Sequence, residues 1–98
     1  MKPCRFHREA EAEYFAALRY YAEIDPLVGQ RFYFAVEELL AQIGAHPKRF
    51  RIYDSPVRRH FGGKFPYSLI YLDQPDRIWI VAVAHFKQRP GYWKNRLT

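Results

Sequence analysis

Cationic and titratable side chains gather in two stretches of the second half of the chain. Arg58-Arg59-His60 runs toward Gly62-Gly63-Lys64, and His85-Phe86-Lys87-Gln88-Arg89-Pro90-Gly91-Tyr92-Trp93 follows the last apolar segment. Such groups bind oxyanions. A planar guanidinium forks onto phosphate or carboxylate, and a lysine supplies a compact point charge. His85 could work as a general base near neutral pH, as histidines do; the preferred reading is a histidine that braces the C-terminal segment by hydrogen bonding. Arg89 fits an anionic partner and a salt bridge to a helix acid such as Glu9 or Glu13 equally well. Tyr67 and Tyr71 share a strand face and could stack bases, although core packing with the hydroxyls at the edge is the stronger reading. His7, His46, His60 and His85 show no metal-ligand spacing, and Cys4 is the single cysteine, so no metal and no cofactor are expected. Gly62-Gly63 has no phosphate-loop pattern around it and reads as a tight hairpin turn.

The charge is lopsided. Residues 1–49 carry seven basic and seven acidic side chains, while residues 50–98 carry nine and three, which supplies the whole net charge of +6. A neutral half joined to a basic half suggests a scaffold carrying a surface for something anionic: nucleic acid, an acidic protein patch or an acidic tail. Ordinary solubilising charge is the plain alternative. A chain of 98 residues implies a single domain over 1–98. One cysteine permits no internal disulfide, and the N-terminus shows no signal-peptide core. The longest apolar run, Ile78 to Ala84, is far too short to span a bilayer. A cytoplasmic protein without membrane attachment is expected.

The elements that must position these groups follow from periodicity. Cys4 and Phe6 suit a short opening strand. From Arg8, Tyr14, Leu18 and Tyr21 form one helical stripe, narrowed by Ala10, Ala17 and Ala22. Asp25-Pro26 ends this helix and starts the next, as N-cap and first helical residue. Val28, Phe32, Val36, Leu39 and Ile43 give the second helix its face, with Gly44 as its C-cap. A loop through Lys48, Arg51 and Asp54 follows. Strands are predicted at Val57–Phe61, Pro66–Leu72 and Arg77–Phe86, with Asp73-Gln74-Pro75-Asp76 as a turn. Strict alternation places Ile78, Ile80, Ala82 and Ala84 on one face of the last strand and Trp79, Val81, Val83 and His85 on the other, and it separates Arg58 and His60 from Arg59. The predicted fold is α+β: an N-terminal helical hairpin packed on one face of a small, mostly antiparallel sheet, with the basic residues around the other face. Phe15, Tyr33 and Phe34 lie off the main helical faces and would suit a partner helix or strand.

Three stretches together resemble the RelE/ParE toxins of type II toxin–antitoxin systems. FHREAEAEYFAALRYYAEIDPLVGQRF is similar to their opening hairpin, and ELLAQIGAHPKRF to the end of the second helix and its loop. VRRHFGGKFPYSLIYLDQPDRIWIVAVAHFKQRPGYW is similar to their strand core and closing motif. The run from His85 to Trp93, with Phe65-Pro66-Tyr67 and Tyr71, resembles the ParE-like branch. The resemblance implies a growth inhibitor, of the kind that serves plasmid stabilisation, neutralised by a cognate antitoxin. ParE-like members poison DNA gyrase and RelE-like members cut messenger RNA on the ribosome; fold does not choose between them. Where RelE-like enzymes place a strand arginine stands Ser68, and where they place a C-terminal tyrosine stands Trp93. Neither can neutralise a phosphate or shuttle a proton in their place, which favours the ParE-like branch. Arg58, Arg59, Lys64, Lys87, Arg89, Tyr92, Trp93 and Arg96 are the candidate target contacts, and Phe15, Tyr33 and Phe34 the candidate antitoxin contacts. No catalytic residue is assigned with certainty; if the chain is a nuclease, Arg58, Arg59, Lys87, Arg89 and His85 carry the reaction. A degenerate, non-toxic binding module is the further alternative.

Overall fold

Asp25 and Pro26 divide the helical half as their chemistry dictates. The Asp25 carboxylate accepts the Leu27 N–H at 2.9 Å, and Pro26 occupies the first position of the second helix, where its missing N–H costs nothing. The computed structural model describes Met1–Leu97 and runs β1 (Cys4–Phe6), α1 (Arg8–Ile24), α2 (Pro26–Ala45), β2 (Arg51–Asp54), β3 (Val57–His60), β4 (Tyr67–Asp73), β5 (Ile78–His85) and a closing 3₁₀ turn, Lys94–Leu97. The sheet order is β1-β5-β4-β3-β2; β1 pairs parallel to β5 and every other pair is antiparallel. The fold is the expected α+β arrangement.

The two helices cross closely because Gly29 of α2 meets Ala22 of α1: a Cβ on Gly29 would stand 2.7 Å from the Ala22 Cα. Their apolar stripes cover one sheet face. Tyr14, Phe32, Val36 and Ile43 pack with Leu69, Tyr71, Ile78, Ile80 and Val83. The opposite face has its own smaller core, in which Trp93 covers Val57, Ile70, Val81 and Ala82.

Four local expectations need correction. The second helix does not stop at Gly44. It runs to Ala45 with His46 as its cap, and Gly44 is buried because Lys2 crosses it; a Cβ there would lie 3.1 Å from the Lys2 carbonyl oxygen. Arg51–Asp54, read as loop, is the exposed edge strand β2. Alternation and apolar content, the signals for a strand, are weak where neither face is covered. Gly62-Gly63 is not a tight turn: β3 and β4 are joined by residues 61–66, and neither glycine takes a positive φ.

The fourth correction concerns β5. Ile70 pairs with Ala82 but Tyr71 pairs with Ile80, so Val81 is an extra residue in its strand. This bulge puts Val81 and Ala82 on the same side. Ile78, Ile80 and Val83 therefore face the helices, while Trp79, Val81, Ala82 and Ala84 face away. Strict alternation had exchanged Ala82, Ala84 and Val83.

Candidate functional site

The sheet face away from the helices holds a recess of about 180 Å³ between β3–β5 and the C-terminal segment. Its floor is Ser68 and Ile70 on β4. Arg59 rises from β3, and His85 and Arg89 come from the end of β5 and the loop after it. Arg59 donates from Nε to the buried Ser68 hydroxyl at 2.8 Å. Its guanidinium lies 4.7 Å from the Phe61 ring centroid, 5.4 Å from that of Tyr53 and 5.6 Å from that of Phe86. Three aromatic rings surround this cation, and among the described residues no acid forms an ion pair with it.

The C-terminal wall of the recess is fastened by Glu13 of α1. Its carboxylate accepts the Tyr92 hydroxyl at 2.7 Å, Arg96 Nη1 at 3.0 Å, Arg96 Nη2 at 2.9 Å and the backbone N–H of Val83 at 3.0 Å. β1 ends at Phe6, so the β5 edge beyond Ile80 has lost its strand neighbour. Glu13 takes the Val83 donor of that edge, and Arg96 takes the Val81 carbonyl left by the bulge, at 3.1 Å. Glu9 adds a second acid 3.6 Å from Arg96. The hydrogen bonds to Glu13 hold the Arg96 guanidinium still further above its ordinary range, and burial pushes the Tyr92 phenol well above the usual tyrosine range, reinforced by Glu13.

The predicted site residues separate. Arg59 and Arg89 line the recess; His85 borders it, with its ring edge-on to Tyr67 at 5.0 Å, and Lys87 is exposed on the loop after β5. Arg58 points to the helical side, where Nη1 donates to the carbonyls of Phe50 at 2.8 Å and Lys48 at 3.3 Å. It props the loop before β2. Lys64 lies elsewhere, beside α2 and 3.8 Å from Glu38. Tyr92 and Trp93 dock the C-terminal segment, Trp93 being only 2% exposed. The Arg96 side chain is 8% exposed and spent on Glu13 and Glu9, the two acids considered as partners for Arg89. Phe15, Tyr33 and Phe34 are all exposed on the helical hairpin.

His85 accepts the Lys87 backbone N–H at Nδ1, 3.0 Å away. With Nδ1 accepting, the hydrogen of the neutral ring sits on Nε2. Tyr92 is tied to Glu13 with a raised pKa, and Ser68 accepts from Arg59. The recess thus sets Arg59 and Arg89 beside aromatic rings, and the polar groups of His85, Tyr92 and Ser68 are all hydrogen-bonded. Among the described residues no group of three or more His, Cys, Asp or Glu could hold a metal ion.

Sequence reasoning named Glu13 only as a partner for Arg89, and missed Tyr53, Phe61 and Phe86. Glu13 had a signal: it interrupts the buried stripe Ala10–Ala17 at helical spacing, where an acid requires a partner. The three aromatics had none, because it is the strand β2 and the loops flanking β3–β5 that bring them around Arg59.

A model of the family described as "ParE toxin of type II toxin-antitoxin system, parDE" matches residues 4–90. Among solved structures, the chain is similar to one from the chromosomal ParDE TA system of P. aeruginosa, with 20% identity and a TM-score of 0.63, covering 87% of this chain and 96% of that one. No curated protein matches it significantly.

Proposed function

Because the chain belongs to the ParE toxin family of type II toxin–antitoxin systems, we propose that it is a growth inhibitor that disables DNA gyrase and is silenced by its cognate antitoxin in the cytoplasm. The observation that carries the choice of target is the make-up of the recess. Arg59 and Arg89 supply positive charge, but His85, Tyr92 and Ser68 are all engaged in hydrogen bonds that hold structure. A toxin that works by binding needs such a surface and no proton shuttle. Among the described residues no helix is long and apolar enough to cross a membrane. The antitoxin would cover Phe15, Tyr33 and Phe34, which a free domain of this size exposes at a cost in solubility.

Purified toxin should abolish gyrase supercoiling or accumulate cleaved DNA, and added antitoxin should reverse the effect. Unchanged gyrase at saturating toxin, together with codon-positioned cuts in primer extension on translated messages, would replace this reading with a ribosome-dependent endonuclease. That second reading draws on one observation, a recess lined by Arg59 and Arg89 and bordered by His85. Normal growth after induction without antitoxin would identify a degenerate binding module.

A further inference from the structure

The register of the edge strand sets two arginines directly opposite each other, Arg51 on β2 and Arg59 on β3. Directly opposed residues of an antiparallel pair share a face, and like charges there are destabilising. Among the described residues neither arginine forms an ion pair, and the one acid of β2, Asp54, is taken by Lys94 at 3.1 Å. Arg89, also without an ion pair among the described residues, adds a third cation at the recess. Around Arg59 stand Tyr53, Phe61 and Phe86, which are 41%, 47% and 48% exposed. Three rings half in water and two arginines face to face are what a ligand carrying both anions and planar rings would use.

We propose that this face binds single-stranded nucleic acid directly, its phosphates on Arg51, Arg59 and Arg89 and its bases against Tyr53, Phe61 and Phe86. The inference goes beyond the proposed choice of target and does not depend on it. Single strands are held by this combination, a cationic track with aromatic faces for the bases, and the stacking tolerates any sequence. A duplex hides its base faces and would leave the rings unused. A purely acidic peptide segment would pair with the arginines and leave the rings unused. The sugar-phosphate and base chemistry is common to DNA and RNA, so the experiment carries both.

Fluorescence anisotropy of the purified chain with labelled oligothymidine, oligouridine and a duplex of equal length tests the proposal. Both single strands should bind more tightly than the duplex, and the RNA should be recovered intact. Three phosphate contacts predict a logarithmic salt slope of about −2. Phe61→Ala or Phe86→Ala, at half-exposed positions that leave the core untouched, should each weaken single-strand binding by roughly 5-fold or more without changing that slope. Arg51→Glu should abolish binding at moderate salt, whereas Arg19→Glu, an equal change of charge on the exposed surface of α1, should have little effect. Three outcomes overturn the proposal. These are no binding at low salt, equal loss from Arg51→Glu and Arg19→Glu, which marks diffuse attraction, and competition by oligoglutamate with no effect of ring removal, which marks a protein arm. Gyrase inhibition is read separately, so failure here leaves the target assignment standing.

Discussion

Removing the Glu13 carboxylate should cost this chain a large part of its stability. Four donors converge on it: Val83 N–H, the Tyr92 hydroxyl and two nitrogens of Arg96. In Glu13→Ala the guanidinium, 8% exposed, keeps Glu9, the Val81 carbonyl and the Tyr92 ring 5.1 Å away. Breaking a buried pair by deleting one partner costs about 3–5 kcal/mol. Glu13 is 21% exposed, so water recovers part of this. With Glu9 still beside Arg96, that pair loss shrinks to about 1–2 kcal/mol. The stranded Val83 and Tyr92 donors add about 1 kcal/mol each at the low end of their range. A total of about 3–4 kcal/mol follows, against about 5–15 kcal/mol for a typical domain. With a urea m-value of about 1.2 kcal/mol/M, the midpoint should fall by about 3 M, followed by the fluorescence of buried Trp93. Glu13→Gln should lose about half as much. Arg96→Met should lose less than Glu13→Ala, and the double variant should fall short of the sum by about 1–3 kcal/mol, because each single change strands the other partner. A midpoint shift under about 0.5 M, or strict additivity, would refute the assignment of Glu13 as the fastener of the C-terminal segment.

Gly29→Ala places a Cβ 2.7 Å from the Ala22 backbone and should destabilise the helical hairpin by about 2–3 kcal/mol, measured as a lower melting temperature with unchanged helix content. Tyr71→Phe removes the 2.6 Å hydrogen bond to the Pro47 carbonyl and should cost about 1–2 kcal/mol in urea unfolding. Burial pushes the Tyr71 phenol up to about 12, with the nearby Arg58 opposing the shift. A folded-state value above that of the unfolded chain, about 10, means stability is fully present below about pH 10 and falls as pH rises toward the folded value, by up to about 1.4 kcal/mol per pH unit per tyrosine. Tyr14 and Tyr92 are raised in the same direction. Melting temperature against pH, read beside tyrosinate absorbance, checks the sign; stability that is flat through this window would contradict it. A Phe34→Ser, Tyr33→Ser double variant should fold normally and bind antitoxin at least 10-fold more weakly in calorimetry, in line with the loss of about 1.4 kcal/mol or more of anchor energy.

Local chemistry decided what lay within a few residues. Asp25-Pro26 fixed the break between the helices because a carboxylate cap and a proline act on their immediate neighbours. The stripes of Tyr14 and Phe32 and the apolar content of β4 and β5 were equally readable, since burial imposes a period on the chain. The separation of Arg59 from Arg58 and His60 also followed from the pleat, and the structure sends Arg58 to the helical side and Arg59 to the recess. The order of motifs along the chain was enough to carry the family resemblance. The tertiary structure decided what depended on a neighbouring strand. The bulge at Val81 arises from pairing with β4 and reverses which of Ala82, Val83 and Ala84 reach the helices. The exposed strand β2 exists because β3 offers it an edge. Arg96, and not Arg89, takes Glu9 and Glu13, because β1 stops at Phe6 and leaves a bare strand edge for an acid and an arginine to fill. Periodicity records which face of an element is dry; it holds no record of which hydrogen-bonding groups a distant segment leaves unsatisfied, and at this site those groups chose the partners.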